Sequence, residues 1–213
     1  MVTQPPGGDL CDPGLHDGSE YAACRGRRLR TSLVTRLPGW PWSQNVSCVV
    51  RVRRVEPGEG LLLKSVRLAA LEESPDAFSS THAAEVARSD KEWEERAQAG
   101  SSGVSRITVF AEGAQGVVGL IGGYRATDSS TTVELVSMWV SPSVRRAGVG
   151  RALVAAIIDW ARLTEASEVA LGVVEGNAAA ERLYMATGFT ATGTALLWSN
   201  PSLVEVRMAK PIV

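Results

Sequence analysis

Apolar residues fall into regular order only from Val49 onward. Val50, Val52 and Val55 lie among arginines in a β-like run that ends at the breaker pair Pro57-Gly58. Leu62, Val66, Ala69 and Ala70 then recur at helical spacing, predicting a helix over Leu61 to Glu73 that Ser74-Pro75 stops. A second helix is predicted over Lys91 to Ala99, with Ser89 or Asp90 as its cap and Trp93 on its apolar face. Ile107 to Ala111, Val117 to Tyr124 and Val133 to Val140 read as strands, the first two joined by a turn at Glu112 to Gly116, so a hairpin-linked antiparallel meander is expected.

After Ser141-Pro142 and a glycine loop, Leu153, Ala156, Ile157, Trp160 and Ala161 mark a helix running to about Glu165. Glu168 to Val174 is the next strand, which makes the intervening helix the crossover of a parallel βαβ unit. A further helix begins near Asn177 with Ala180, Leu183 and Tyr184 on its apolar face, and Gly188 stands where a left-handed cap residue is favoured. Phe189 to Ala195 and Val204 to Lys210 give closing strands. The fold class is mixed α/β: an antiparallel meander entering a parallel βαβ centre.

Composition separates the first 48 residues from this pattern. They hold all three cysteines (Cys11, Cys24, Cys48) and five of the ten prolines, with no apolar periodicity. Residues 1–48 are expected to be a disordered or weakly ordered N-terminal extension, and 49–213 the folded domain. Met1 to Asp9 lacks the basic start and apolar run of a secretory signal. The arginines from Arg25 to Arg36 read as a nucleic-acid or targeting tail or as a solvated, disordered flank, and a start codon placed too far upstream would give the same composition. Trp40 and Trp42 are the exception, because such a cluster can dock on a domain. A folded part without cysteine points to a reducing, cytoplasmic compartment. No apolar stretch approaches the ~20 residues needed to span a bilayer. With 22 basic and 23 acidic residues, a net charge of −1 supplies no global field for nucleic acid or anionic lipid.

Local charge is a different matter. Arg145-Arg146-Ala147-Gly148-Val149-Gly150 lies between a strand and a helix, the arrangement that binds phosphate. Amides in the first helical turn lack partners and carry partial positive charge, and glycines let an anion approach the backbone. Dinucleotide and Walker-type loops are excluded. Leu153 stands where the third Rossmann glycine should be, the loop does not directly close the strand, and no Gly-Lys-Ser/Thr ending is present.

Arg145-x-x-Gly148-x-Gly150, followed by Asn177-x-x-Ala180-x-x-Leu183-Tyr184-x-x-x-Gly188-Phe189, resembles the GNAT superfamily of acyl-CoA-dependent N-acetyltransferases over about residues 49–211. The resemblance implies a six- or seven-stranded mixed sheet flanked by about four helices and splayed between its fourth and fifth strands, with the pantetheine arm of acetyl-CoA in the opening. It implies that Arg145, Arg146, Ala147, Gly148, Val149, Gly150 and Arg151 hold the coenzyme A pyrophosphate. Trp139 and Val140 would pair with the pantetheine by backbone, the Val140 amide facing the thioester carbonyl. The Trp139 side chain itself reads as core or pocket wall.

The implied reaction is direct acetyl transfer to a primary amine, which needs a base for the ammonium proton and an acid for the departing thiolate. Tyr184 reads as that acid or as a ring packed on the sheet. Glu134 reads as the acceptor of the amine proton or as a solvent-facing strand carboxylate, and Asn177 as a cofactor contact or a helix cap. Glu72, Glu73 and Asp76 stand where acceptors enter in the family and read as an attraction for a cationic amine or as a solvated helix end, and Trp198 either lines the acceptor pocket or meets a second subunit in a homodimer. His16 and His82 lack partners at metal-ligand spacing, so no metal site is expected. A small-molecule or peptide amine is the expected partner, and a noncatalytic acyl-CoA-binding regulatory module is the alternative reading.

Overall fold

A computed structural model describes residues 50–125, 131–197 and 200–213. The expectations for residues 1–48, for Trp40 and Trp42, and for Trp198 lie outside those residues. Seven strands form one sheet: β1 (Arg51–Arg54), β2 (Arg106–Gly113), β3 (Gly116–Arg125), β4 (Thr132–Val140), β5 (Glu168–Val174), β6 (Thr190–Leu197) and β7 (Asn200–Pro211). Their order is β1-β2-β3-β4-β5-β7-β6, antiparallel except for β4 beside β5. The helices are α1 (Gly60–Glu73), α2 (His82–Val86), α3 (Asp90–Ser102), α4 (Val149–Leu163) and α5 (Ala178–Ala186).

Local chemistry accounts for several boundaries. Ser89 caps α3 in a complete capping box: its hydroxyl accepts from the Glu92 amide at 3.3 Å, and the Ser89 amide donates back to the Glu92 carboxylate at 2.8 Å. The helix ends at Gly103, in the left-handed region at φ 65°. Two apolar clusters hold the sheet. Leu153, Val154 and Ile157 of α4 are fully buried against Val109, Ile121 and Val133 on one face. Trp93 and Ala97 of α3, with Leu63 and Val66 of α1, close over Phe110 and Leu120 on the other. Each valine, leucine, isoleucine or phenylalanine among them contributes about 1.5–3 kcal/mol when fully buried.

Two differences from the sequence reading bear on the site. The crossover helix begins at Val149 rather than Leu153, since Gly148 is its N-cap. The pentapeptide α2, capped by Thr81, is a fifth helix that no apolar periodicity announces.

Candidate active site

The sheet opens between β4 and β5. Only Thr132, Val133 and Glu134 pair with Glu168, Val169 and Ala170. Beyond them β4 stays paired to β3 as far as Val140, and β5 stays paired to β7 as far as Val174, so the two halves part at their C-terminal ends. A bulge sits on β4 within this region. Leu120 pairs with Trp139 but Gly122 with Val136, and Ser137 takes φ 58°. An extra residue re-aims the strand that follows it, here Met138 to Val140. Val133 and Leu135 belong to the α4-side core, whereas Trp139 packs on the α1 side.

The open end faces a helix terminus with no side-chain cap. Gly148, at φ 86°, is the N-cap of α4 and makes no side-chain cap bond, and the first turn carries no acidic residue. Ser89 and Glu92 fill the same position on α3. The amides of Val149, Gly150 and Arg151 are thus left to an outside acceptor, with the positive end of a 15-residue helix behind them. Arg145, Arg146 and Ala147 are exposed beside them, and Arg146 also takes a positive φ of 66°. A Cβ on Gly150 would lie 3.1 Å from both Leu183 Cδ2 and Met138 Cε, so the start of α4, the bulged strand and α5 converge there.

Arg145 holds the strand end to α1. Its Nε donates to the Val140 carbonyl at 2.9 Å and its Nη2 to Glu73 Oε2 at 2.6 Å, while Trp139 Nε1 donates to the same carboxylate oxygen at 3.2 Å. The Ser74 hydroxyl and Arg145 hold the Glu73 carboxyl below the usual carboxylate range. Glu73, though exposed like Glu72 and Asp76, is therefore tied to the loop. Sequence reasoning missed this link because its partners are 66 and 72 residues apart. A cavity of about 330 Å³ lies between the Glu73 to Ala77 corner and the ends of β5 and α5 at Val174 and Asn177.

Tyr184 is buried, and its ring meets Phe189 edge-on at 5.7 Å between centroids. Burial pushes its phenol well above the ordinary tyrosine range. Asn177 caps α5, its side-chain oxygen accepting from the Ala180 amide at 3.2 Å. Asn177→Ala should cost about 1 kcal/mol and Asn177→Ser should restore most of it, read from denaturant midpoints.

Glu134 lies on the face of β4 opposite the buried Val133 and Leu135. Both of its carboxylate oxygens accept from Arg207 Nη2, at 2.9 and 3.0 Å, and Glu205 binds Arg207 Nη1 at 3.3 Å. The Glu205 carboxylate lies over Gly172 of β5, where a Cβ would collide with it. Burial opposes the Arg207 charge, but the hydrogen bonds and charges of Glu134 and Glu205 more than compensate and hold it above the ordinary arginine value. No helix among the described residues is long and apolar enough to cross a membrane.

Comparison with known proteins gives this geometry a context. The family model of the acetyltransferase (GNAT) family matches residues 67–189. A GNAT-family acetyltransferase from Streptococcus pneumoniae superposes with a TM-score of 0.65 at 21% identity, covering 76% of this chain and 99% of its own. The yncA protein of Salmonella typhimurium, solved with its cofactor acetyl-CoA, gives 0.63 at 20% identity, with 77% and 94% covered. Spermidine N-acetyltransferase from Vibrio cholerae, in complex with CoA and spermine, gives 0.60 at 17%, with 76% and 95% covered. No curated protein matches this chain in sequence.

Proposed function

Because the chain belongs to the GNAT family of acetyltransferases, we propose that it moves the acetyl group of acetyl-CoA directly to a primary amine, in the cytoplasm and in a ternary complex. The observation that carries this reading is the convergence at Gly150: the sheet parts where an uncapped helix terminus, the bulged end of β4 and the helix bearing Tyr184 meet. Acetyl-CoA supplies an activated thioester and a pyrophosphate. The amides of Val149, Gly150 and Arg151 fit that pyrophosphate, with the exposed side chains of Arg145, Arg146 and Arg151 around it and Ala147 and Gly148 leaving the approach clear. The Arg145–Glu73 bridge is 44% and 32% exposed at its two ends, so it is worth at most about 1 kcal/mol and an entering phosphate can replace it. Asn177 uses its oxygen for capping, leaving its amide nitrogen as a cofactor contact.

Trp139 and Val140 provide the backbone edge on which the pantetheine lies, and the Val140 amide faces the thioester oxygen where negative charge builds. The amine nitrogen forms the new bond to the acetyl carbon as the carbon–sulfur bond breaks. Glu134 takes the ammonium proton through water before the attack, Tyr184 gives its proton to the departing sulfur, and the second proton that the nitrogen sheds on becoming the amide restores the Tyr184 hydroxyl. Initial-rate measurements test the ternary complex: intersecting double-reciprocal lines are expected, and parallel lines would indicate an acetylated enzyme instead.

Glu134→Gln should lower the rate most at low pH, where the acceptor is still protonated. High pH should partly restore it, because the free amine no longer needs a base. A loss equal at every pH would make Glu134 a positioning residue acting through Arg207.

A further inference from the structure

The face of the sheet opposite α4 holds a second cavity, of about 340 Å³, walled by α1, α2, α3 and strands β2 to β4. Its β4 wall is Val136 and Ser137, at the bulge, and its β3 wall includes Tyr124, which pairs with Glu134 across the ladder. Glu134 and Val136 project from the same face of β4. The cavity therefore adjoins the strand on which the transfer has been placed, on the side bearing the proposed base.

Its charge is one-sided. Arg67, Arg88, Arg96 and Arg106 line it against a single acid, Glu85, leaving three positive charges. Glu85 is also spent: its Oε2 accepts from Arg96 Nη1 at 2.6 Å and from Arg88 Nε at 3.0 Å. Arg67 is only 5% exposed, its guanidinium 4.3 Å above the Phe78 ring. Only its Nη2 has an acceptor, the Ser80 hydroxyl at 2.8 Å; among the described residues neither Nε nor Nη1 has one. Burial pulls this guanidinium down to about 10, with Glu85 opposing the shift and Arg96 adding to it. A buried guanidinium without a full set of acceptors is costly to keep, and an oxyanion presenting two oxygens satisfies two donors at once. Phe78 belongs to the cluster on which Trp139 packs, which places Arg67 one aromatic layer from the end of β4.

We propose that this cavity receives the acceptor and that Arg67 docks an oxyanion on it, so that the substrate is an amine that also bears a carboxylate or phosphonate group. The proposal rests on the acetyltransferase reading and adds the acceptor's class to it. A polycationic amine is disfavoured, since four arginines would face it. The remaining donors of Arg67 supply recognition, and Arg88, Arg96 and Arg106 attract the anion.

The test pairs acceptors that differ only in the anion. Amino acids and ω-amino carboxylates of increasing length, each with its amide and its decarboxylated amine, and 2-aminoethylphosphonate beside ethanolamine, are assayed with the full chain and acetyl-CoA. At least one anionic member should exceed its anion-free partner in kcat/KM by roughly ten- to a hundred-fold, the range for hydrogen bonds to charged groups. The carboxylate and phosphonate arms tell which oxyanion is preferred. Arg67→Met should abolish the preference mainly through KM, Arg67→Lys should retain part of it, and coenzyme A affinity by calorimetry should not change. Should Arg67→Met fail to fold, Arg106→Gln, at an exposed position on the cavity wall, should lower the preference several-fold. If no amine is turned over, thermal shift of the coenzyme A-loaded protein is decisive: stabilisation by an anionic amine that Arg67→Met abolishes supports the site, and no stabilisation overturns it. Equal use of neutral or cationic amines, or a preference untouched in Arg67→Met, also overturns it and leaves the transferase reading standing. Loss of coenzyme A binding in the wild type would instead count against that reading.

Discussion

Replacing Tyr184 with phenylalanine should lower kcat and kcat/KM together by roughly 10²–10⁴-fold, with acetyl-CoA affinity nearly unchanged. In the proposed role the hydroxyl acts only as the carbon–sulfur bond breaks, so its loss should fall on the transition state and not on binding. Phenylalanine keeps the ring that meets Phe189 edge-on, so the packing of α5 should survive. Because burial raises the phenol, Tyr184 holds its proton throughout the working pH range, as a proton donor must. The sign of the stability effect follows from the same burial. The neutral phenol is the folded form, so its contribution is whole below the ordinary tyrosine value of about 10 and is lost as pH rises above it. Tyr184→Phe should remove that alkaline decline, measurable by thermal melts across the alkaline range. A variant with wild-type kcat would make Tyr184 a packing residue.

Placing glutamate at Gly148 or Gly150 should weaken coenzyme A binding by roughly a hundred-fold or more. That is the effect of losing two charge-assisted hydrogen bonds at about 1.5–3 kcal/mol each. The two positions fail for different physical reasons, which makes the pair informative. A Cβ at Gly148 meets nothing within 4 Å, so Gly148→Glu pays only for its left-handed backbone, about 1–2 kcal/mol. A Cβ at Gly150 crowds the tips of Leu183 and Met138, flexible side chains that can give way. Circular dichroism should therefore show both folds intact while calorimetry shows the affinity gone. Gly148→Ala shares the strain without the charge and should retain most of the binding. Unchanged affinity in both glutamate variants would move the pyrophosphate away from α4.

Features carried by local patterns were legible in the sequence. The apolar stripe of α4, the capping residues Ser89 and Asn177, and the left-handed Gly188 each follow from side chains within four residues of one another, and the structure has them there. The parallel pairing of β4 with β5 followed from the helix between them. What stayed hidden depends on distance or on backbone detail. Glu134 and Arg207 are 73 residues apart, on the two strands that flank β5. The bulge at Ser137 carries no glycine to mark its positive φ. Helix α2 has five residues, two of them alanine, too few to show a period, yet it delivers Glu85 to the arginines. Nothing in the sequence singles out Arg67, and only the fold shows it buried.

In the proposed function the chain transfers acetyl groups at the opening between β4 and β5. Its most direct test follows coenzyme A release from acetyl-CoA by the full chain across a panel of amines, with the N-acetylated product measured in the same samples. Release should require an amine, yield one product per coenzyme A, and be lost in both Tyr184→Phe and Gly150→Glu. Coenzyme A that binds at the α4 terminus but is released with no amine in the panel would contradict it, and would leave a protein that holds the cofactor without using it.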